Sequence, residues 1–225
     1  ASTRLCKLDV LVKDVAGPGS AVLARDAINV WSTGWTGDDR YIVIDASFDE
    51  DWGCYSIPVL GGQRRHLRRG ACAQLGNGDT TLVTWANPGD TLAWIRRVGT
   101  ATGALYDSVS ISIAGDAFPV VKPTSDGRWL IIGEWRGRGS TITIADRAGE
   151  IRDSLVSQVA GYWTFDPVPG SHTFIGLSDD ITGRSLATLL RHPIDEDGSI
   201  GRADTLIRQF DSDQTMISRN GDLLI

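Results

Sequence analysis

Thr124-Ser125-Asp126-Gly127-Arg128-Trp129-Leu130-Ile131-Ile132 is a polar turn followed at once by a bulky apolar run, and its reading decides the fold. An Asp-Gly step supplies the positive φ that a tight, primed hairpin turn demands, and the residues after it are aromatic and aliphatic strand formers. The stretch therefore predicts a β-hairpin. Weaker copies begin at Thr36, Leu75, Pro167 and Ser218. Their second turn residues, Asp39, Gly78, Gly127, Gly170 and Gly221, lie 39, 49, 43 and 51 residues apart. A period of roughly 40–50 residues with four short strands is that of propeller blades. A helical solenoid is disfavoured because no apolar stripe holds a 3.6-residue period over several turns. An immunoglobulin-like sandwich predicts no self-similarity.

Working outward, the third blade (116–161) is the cleanest, with strands at Pro119–Lys122, after the turn at Trp129, at Ser140–Asp146 and at Ile151–Val156. The first complete blade (28–70) has strands at Val30–Trp35, Arg40–Ala46 and Trp52–Val59, and a polar outer strand at Gln63–Leu67. The second (71–115) and fourth (162–211) blades follow the same plan. Residues 1–27 read as the last two strands of another blade, at Leu5–Val12 and Ala21–Ala24, and 212–225 as the start of one. The fold class is thus all-β, a β-propeller of four-stranded antiparallel blades. Four blades are complete and a fifth is split between the termini, giving either a closed five-bladed ring or a slice of a six- to eight-bladed propeller. The whole of 1–225 is treated as a single propeller domain or fragment.

Composition agrees with a folded chain: 41% of residues are hydrophobic, 22% are charged, and 26 glycines are dispersed as turn markers. A net charge of −6 offers no general attraction to nucleic acid or to an anionic membrane. No apolar run is long enough to cross a bilayer, and the first residues lack the pattern of a signal peptide. Cys6, Cys54 and Cys72 show no CxxC spacing, so they point to neither a zinc site nor a disulfide framework and read as small core residues.

An apolar strand, Ser/Thr-x-Asp-Gly-Arg, a second apolar strand and then an Ile-x-Ile or Ala-Asp strand resembles the TolB-like propellers with WD40-like repeats called PD40. Thr124, Ser125, Asp126, Gly127, Arg128, Trp129 and Leu130, with Ala145-Asp146 and Gly149, carry the resemblance. The proline that usually precedes the aspartate in that family is absent; Gly37, Gly76, Ser125 and Arg219 stand there. Such propellers occur in a periplasmic translocation protein, in prolyl-oligopeptidase-like peptidases, and behind the membrane span of bacterial serine/threonine kinases, the last being most similar in its degenerate, tryptophan-rich repeats. The resemblance implies a non-enzymatic recognition or sensor propeller, monomeric, on the extracytoplasmic side of a bacterial cell and part of a larger signalling protein. The alternatives are the substrate-gating propeller of a peptidase and a lactonase-type enzyme.

Candidate contact residues follow from the blade plan. First strands line a propeller's channel, which makes Lys122, Asp166 and Gln74 candidate polar contacts for a protein or small ligand. Arg64 and Arg65, in the dense basic cluster of the first blade's outer strand, would receive an acidic partner. The eight tryptophans invite an aromatic binding floor, but Trp31, Trp35, Trp129 and Trp163 read as core residues between stacked blades. Asp45, Asp49, Glu50 and Asp51 match no calcium motif, and Asp195-Glu196-Asp197-Gly198 reads as a turn. There is no Gly-x-Ser-x-Gly elbow and no HExxH, so no catalytic residue, metal or cofactor is assigned.

Overall fold

A computed structural model describes residues 7–13, 18–48, 51–74, 80–85, 91–113, 119–136, 139–157, 162–179, 187–210, 216–217 and 223–224. Every regular element among them is a β-strand. They divide into two compact units, residues 1–85 with 94–108 and residues 86–93 with 109–225.

The first unit holds β1 (Leu8–Lys13), β2 (Ser20–Trp35), β3 (Tyr41–Phe48), β4 (Asp51–Pro58) and β5 (Arg65–Arg68), paired in chain order as one sheet. The second sheet follows with β6 (Ala71–Gln74), β7 (Thr80–Trp85), β8 (Leu92–Gly99) and β9 (Leu105–Ser112), its last two strands crossing the division between units. As expected of an Arg-rich outer strand, β5 lies at the end of its sheet.

One expectation is corrected here. The strand at Ala21–Ala24 and the strand at Val30–Trp35 are a single strand of 16 residues. Ala27 pairs with Leu8 of β1 and with Phe48 of β3, so β2 changes partner at that point. Asp26, which reads as a stop, instead takes a positive φ of 64° as a single residue, and register shifts follow on both sides of Val30. Bulges of this kind bend a strand without ending it.

Alternation along β3 sends Ile42, Ile44, Ala46 and Phe48 to one apolar cluster with Ala24, Ala27, Tyr55 and Ile57. Val43 goes to another, with Cys54 and Leu67 of the same sheet and Val83 and Val98 of the second. The first sheet is therefore buried on both faces, and its second face packs sheet on sheet.

In the second unit β10 (Val120–Pro123), β11 (Trp129–Arg136), β12 (Gly139–Asp146) and β13 (Ile151–Ser157) form the third sheet. The fourth comprises β14 (Tyr162–Pro167), β15 (Thr173–Asp179), β16 (Ala187–Pro193) and β17 (Asp204–Phe210). A short hairpin, β18 (Met216–Ile217) with β19 (Leu223–Leu224), follows. Trp129, Ile131, Ile142 and Ile144 of the third sheet pack with Phe165 and Phe174 of the fourth and with Ile194, which follows β16. Complete burial of a large apolar side chain contributes about 1.5–3 kcal/mol, so this seam stabilises the unit strongly.

The repeated turn is not the primed turn that Asp-Gly predicts. Neither Ser125 nor Asp126 has a positive φ; Gly127, which follows them, has φ 64°. Gly127 N–H donates to Thr124 O (2.7 Å) and Thr124 N–H to Trp129 O (2.9 Å), closing a four-residue loop. The Thr124 hydroxyl donates to Asp126 Oδ1 (2.7 Å) and accepts from Trp129 N–H (3.1 Å), while Asp126 Oδ1 also accepts from Arg128 N–H (3.0 Å). Thr36 and Asp38 repeat this arrangement at 2.6, 3.0 and 3.1 Å, with Asp39 at φ 57° in the glycine's place. Side-chain closure of this kind substitutes for two consecutive positive φ angles. In the fourth sheet the loop runs from Val168 to Thr173 with its positive φ at Gly170, one residue earlier. The structural counterpart of Gly127 there is Ser171, not Gly170. The copies at 75–79 and 218–222 and the turn at Gly137-Arg138 lie outside the described residues.

Candidate ligand-recognition site

Trp31 and Trp35 correct the core reading: their residues are 57% and 48% exposed. The physical reason for Trp31 is the register shift between Val30 and Ser32, which leaves it as the extra residue of a bulge and frees its side chain from the pleat. Trp129 is core as expected, at 4% exposed, and the Trp163 side chain lies outside the described residues.

Trp31 is one of a group in the first unit. Its ring lies 6.1 Å from that of Trp52 at an interplanar angle of 79°, and Trp52 lies 5.6 Å from Trp85, tilted by 47°. Trp94 of β8 pairs directly across from Trp85 of β7 and is 42% exposed. The Arg69 guanidinium sits over the Trp85 ring at 4.4 Å. Trp52 is the second residue of β4 and Trp85 the last of β7, so both belong to the ends where second strands meet third strands.

Trp52 is held from below. Its indole N–H donates to Asp45 Oδ1 at 2.7 Å, and Asp45 is buried. Burial pushes the Asp45 carboxyl up to about 6, with the hydrogen bond from Trp52 opposing that shift. The group thus combines two exposed indoles, Trp31 and Trp94, a cation stacked on the half-buried Trp85, and a carboxyl already engaged beneath Trp52. Stacking and cation–π contact are what such faces offer a ligand.

The five residues singled out in the sequence fall in different places. Lys122 of β10 and Asp166 of β14 are brought together as an ion pair between adjacent first strands, each partly buried, and Lys122 Nζ also lies 5.5 Å from the Phe165 ring centre. Gln74 ends β6 opposite Thr81, and its side chain lies outside the described residues. Arg64 stacks over Phe48 at 4.1 Å, and Arg65 donates to Thr102 O at 3.4 Å. Arg64 and Arg65 belong to the first unit, Lys122 and Asp166 to the second.

A second polar assembly joins the third and fourth sheets. Asp126 Oδ2 lies 2.8 Å from His172 Nε2, Gly170 N–H donates to Ser125 Oγ (2.9 Å), and Arg128 donates to Glu196 O (2.6 Å). Burial opposes ionisation of Asp126, but hydrogen bonds from Arg128 N–H, Thr124 and His172 outweigh it and hold the carboxyl at about 2. Arg147 donates to Asp126 O (2.9 Å) and to Gly127 O. These groups satisfy one another, so the assembly reads as a clasp between sheets. All three histidines take part in packing: His66 stacks on Tyr55, His172 bonds Asp126, and His192 stacks on Phe174. The Asp195–Ser199 segment is the turn expected, with Gly198 N–H donating to Asp195 O and φ 92° at Gly198. Among the described residues no three His, Cys, Asp or Glu side chains group as a metal site.

Strand-by-strand reading does not assemble the tryptophan group, because its members come from four different strands. Its signal is positional: Trp52, Trp85 and Trp94 all flank connections between second and third strands.

No protein-family model and no curated protein matches the chain. Among solved structures it is similar to TolB from Acinetobacter baumannii, with 16% identity, a TM-score of 0.65, and coverage of 94% of this chain and 51% of that one. It is similar to a putative TolB from Agrobacterium tumefaciens at 14% identity and a TM-score of 0.56, with 91% of each chain covered. A prolyl endopeptidase matches at 18% identity and a TM-score of 0.61, over 90% of this chain and 32% of that one. The chain thus spans about half the length of the Acinetobacter TolB. At these identities the likeness concerns the fold, and the fold is an all-β propeller of antiparallel blades, four-stranded except for the five-stranded first sheet, similar to that of TolB.

Proposed function

We propose that this chain is a non-enzymatic recognition propeller that holds a protein or small ligand against exposed aromatic side chains, as the extracytoplasmic sensor part of a larger bacterial signalling protein. The observation that carries this reading is the group of exposed Trp31 and Trp94 with half-buried Trp52 and Trp85, the last covered by the Arg69 guanidinium. Exposed aromatic groups of this kind mark recognition sites more often than they serve the monomer. Lys122, Asp166 and Gln74 are proposed as polar contacts on the first strands, and Arg64 and Arg65 as contacts for an acidic partner. The placement outside the cytoplasm rests on the TolB-like resemblance.

The test is binding to immobilised glycan and peptide panels, followed by tryptophan fluorescence titration of each hit. A Trp31→Ala/Trp94→Ala variant with unchanged melting temperature is expected to lose at least tenfold in affinity. Undiminished affinity of that variant would overturn the site.

The second reading, a substrate-gating propeller of a peptidase, is favoured by the likeness to a prolyl endopeptidase over part of that chain. Flanking coding sequence separates the two. A membrane span and a kinase upstream support the sensor; an α/β-hydrolase domain downstream supports the gate.

A further inference from the structure

Two cysteines approach each other from different sheets of the first unit. Cys54 lies in β4 with no exposed surface, and Cys72, in β6, is half-buried. Both pack in one apolar cluster with Val43, Leu67, Val83 and Val98, and after burial it is the neighbouring Cys72 that bears most on the Cys54 thiol. Both are free thiols in the structure. A seam that needed only filling would be served by valine or alanine; two thiols in one apolar cluster between two sheets bring a chemistry that neither has.

We propose that Cys54 and Cys72 form a disulfide site that covalently joins β4 to β6, and with them the first sheet to the second, when the protein meets a small-molecule disulfide oxidant. Cys72, the more exposed, reacts first: its thiolate attacks one sulfur of the oxidant, the oxidant's S–S bond breaks, and one thiolate leaves. Cys54 then attacks the Cys72 sulfur of the mixed disulfide and releases the second. Two cysteine thiols are oxidised to one disulfide, the oxidant's disulfide is reduced to two thiols, and the two cysteine protons end on those departing thiols. Burial, with the neighbouring Cys72, pushes the Cys54 thiol well up, so the closing step quickens as pH rises. Closure brings the sulfurs to about 2.05 Å, and the shared cluster is what places the two side chains in one region of the fold.

The test uses the folded full chain carrying Cys6→Ser, which leaves only this pair, treated with oxidised glutathione at about pH 8.5. Both thiols are expected to disappear together, with tryptic peptides 41–64 and 70–96 recovered as one linked species that dithiothreitol separates. The cysteines are 18 residues apart, so cross-linking is expected to raise the melting temperature by roughly 5–10 °C. Retention of two thiols, or glutathione left on Cys72 without closure, would overturn the proposal. Wild-type protein mapped in parallel guards against a misfolded variant: a Cys54–Cys72 link supports the proposal, and a link from Cys6 to either residue overturns it.

Discussion

Trp52 donates its indole N–H to Asp45 across 2.7 Å, which ties an aromatic residue of the candidate site to a carboxyl buried beneath it. Because burial lifts that carboxyl from 3.8 to about 6, the folded state binds its proton more tightly than the unfolded chain does. The contribution to stability is fully present below about pH 3.8 and is lost as pH rises through about 6. At neutral pH ionised Asp45 therefore costs about 3 kcal/mol. Asp45→Asn keeps the acceptor for Trp52 and removes the charge. It is expected to raise the melting temperature at about pH 7.5 and to match wild type near pH 4. An equal increment at both pH values would show that Asp45 does not titrate in this range.

Two tryptophans should part company on truncation. Trp129→Ala opens the seam between the third and fourth sheets and is expected to cost about 3–5 kcal/mol. Trp31→Ala removes a largely exposed side chain and should change stability by less than about 0.5 kcal/mol. Urea denaturation of both variants checks the contrast, and similar losses for the two would contradict the bulge at Trp31.

Thr124 connects the two sides of the marker loop through one hydroxyl. Thr124→Val keeps the shape but leaves the Trp129 N–H without its side-chain acceptor, at a cost of about 1–2 kcal/mol. Thr124→Ser should lie close to wild type. If valine and serine proved equal, the hydroxyl would not be what closes the loop.

Gly133 lies where β11 meets the fourth sheet, and a Cβ there would come within 2.4 Å of Phe165 Cε1. Gly133→Ala is expected to destabilise by about 1–3 kcal/mol through overpacking, despite alanine's better fit to a strand. A pair with Phe165→Leu should recover part of that loss. The absence of any recovery would place the strain elsewhere.

Lys122 and Asp166 form a partly exposed pair, for which coupling of up to about 1 kcal/mol is the expected scale. A double-mutant cycle with Lys122→Met and Asp166→Asn measures it directly. The coupling should weaken in about 1 M salt; a salt-independent value would point to packing around Phe165 instead.

How far the chain could be read depended on the range of each signal. The third sheet was legible almost strand by strand, because Val120–Pro123, Trp129–Arg136 and Ile151–Ser157 are runs of strand formers bounded by turns. The start of β2 was not, since an aspartate between two short runs looks like a turn from either side. Only pairing partners show that Asp26 bends a continuous strand. The need of Gly127 for a positive φ is legible from Asp-Gly, but the turn type is not, because Thr124 and Asp126 close the loop with side-chain bonds that a dipeptide rule omits.

By itself, the sequence determined that this chain is all-β, that it repeats at blade length, and where the loops bearing Thr36 and Thr124 fall. Periodicity and turn chemistry act between near neighbours and so survive in one dimension. Only the tertiary structure decided that Trp31 faces solvent while Trp129 is core, that Lys122 meets Asp166, and that Cys54 meets Cys72. Those outcomes depend on a bulge in one strand and on the stacking of sheets whose partners lie tens of residues apart, which no local pattern encodes.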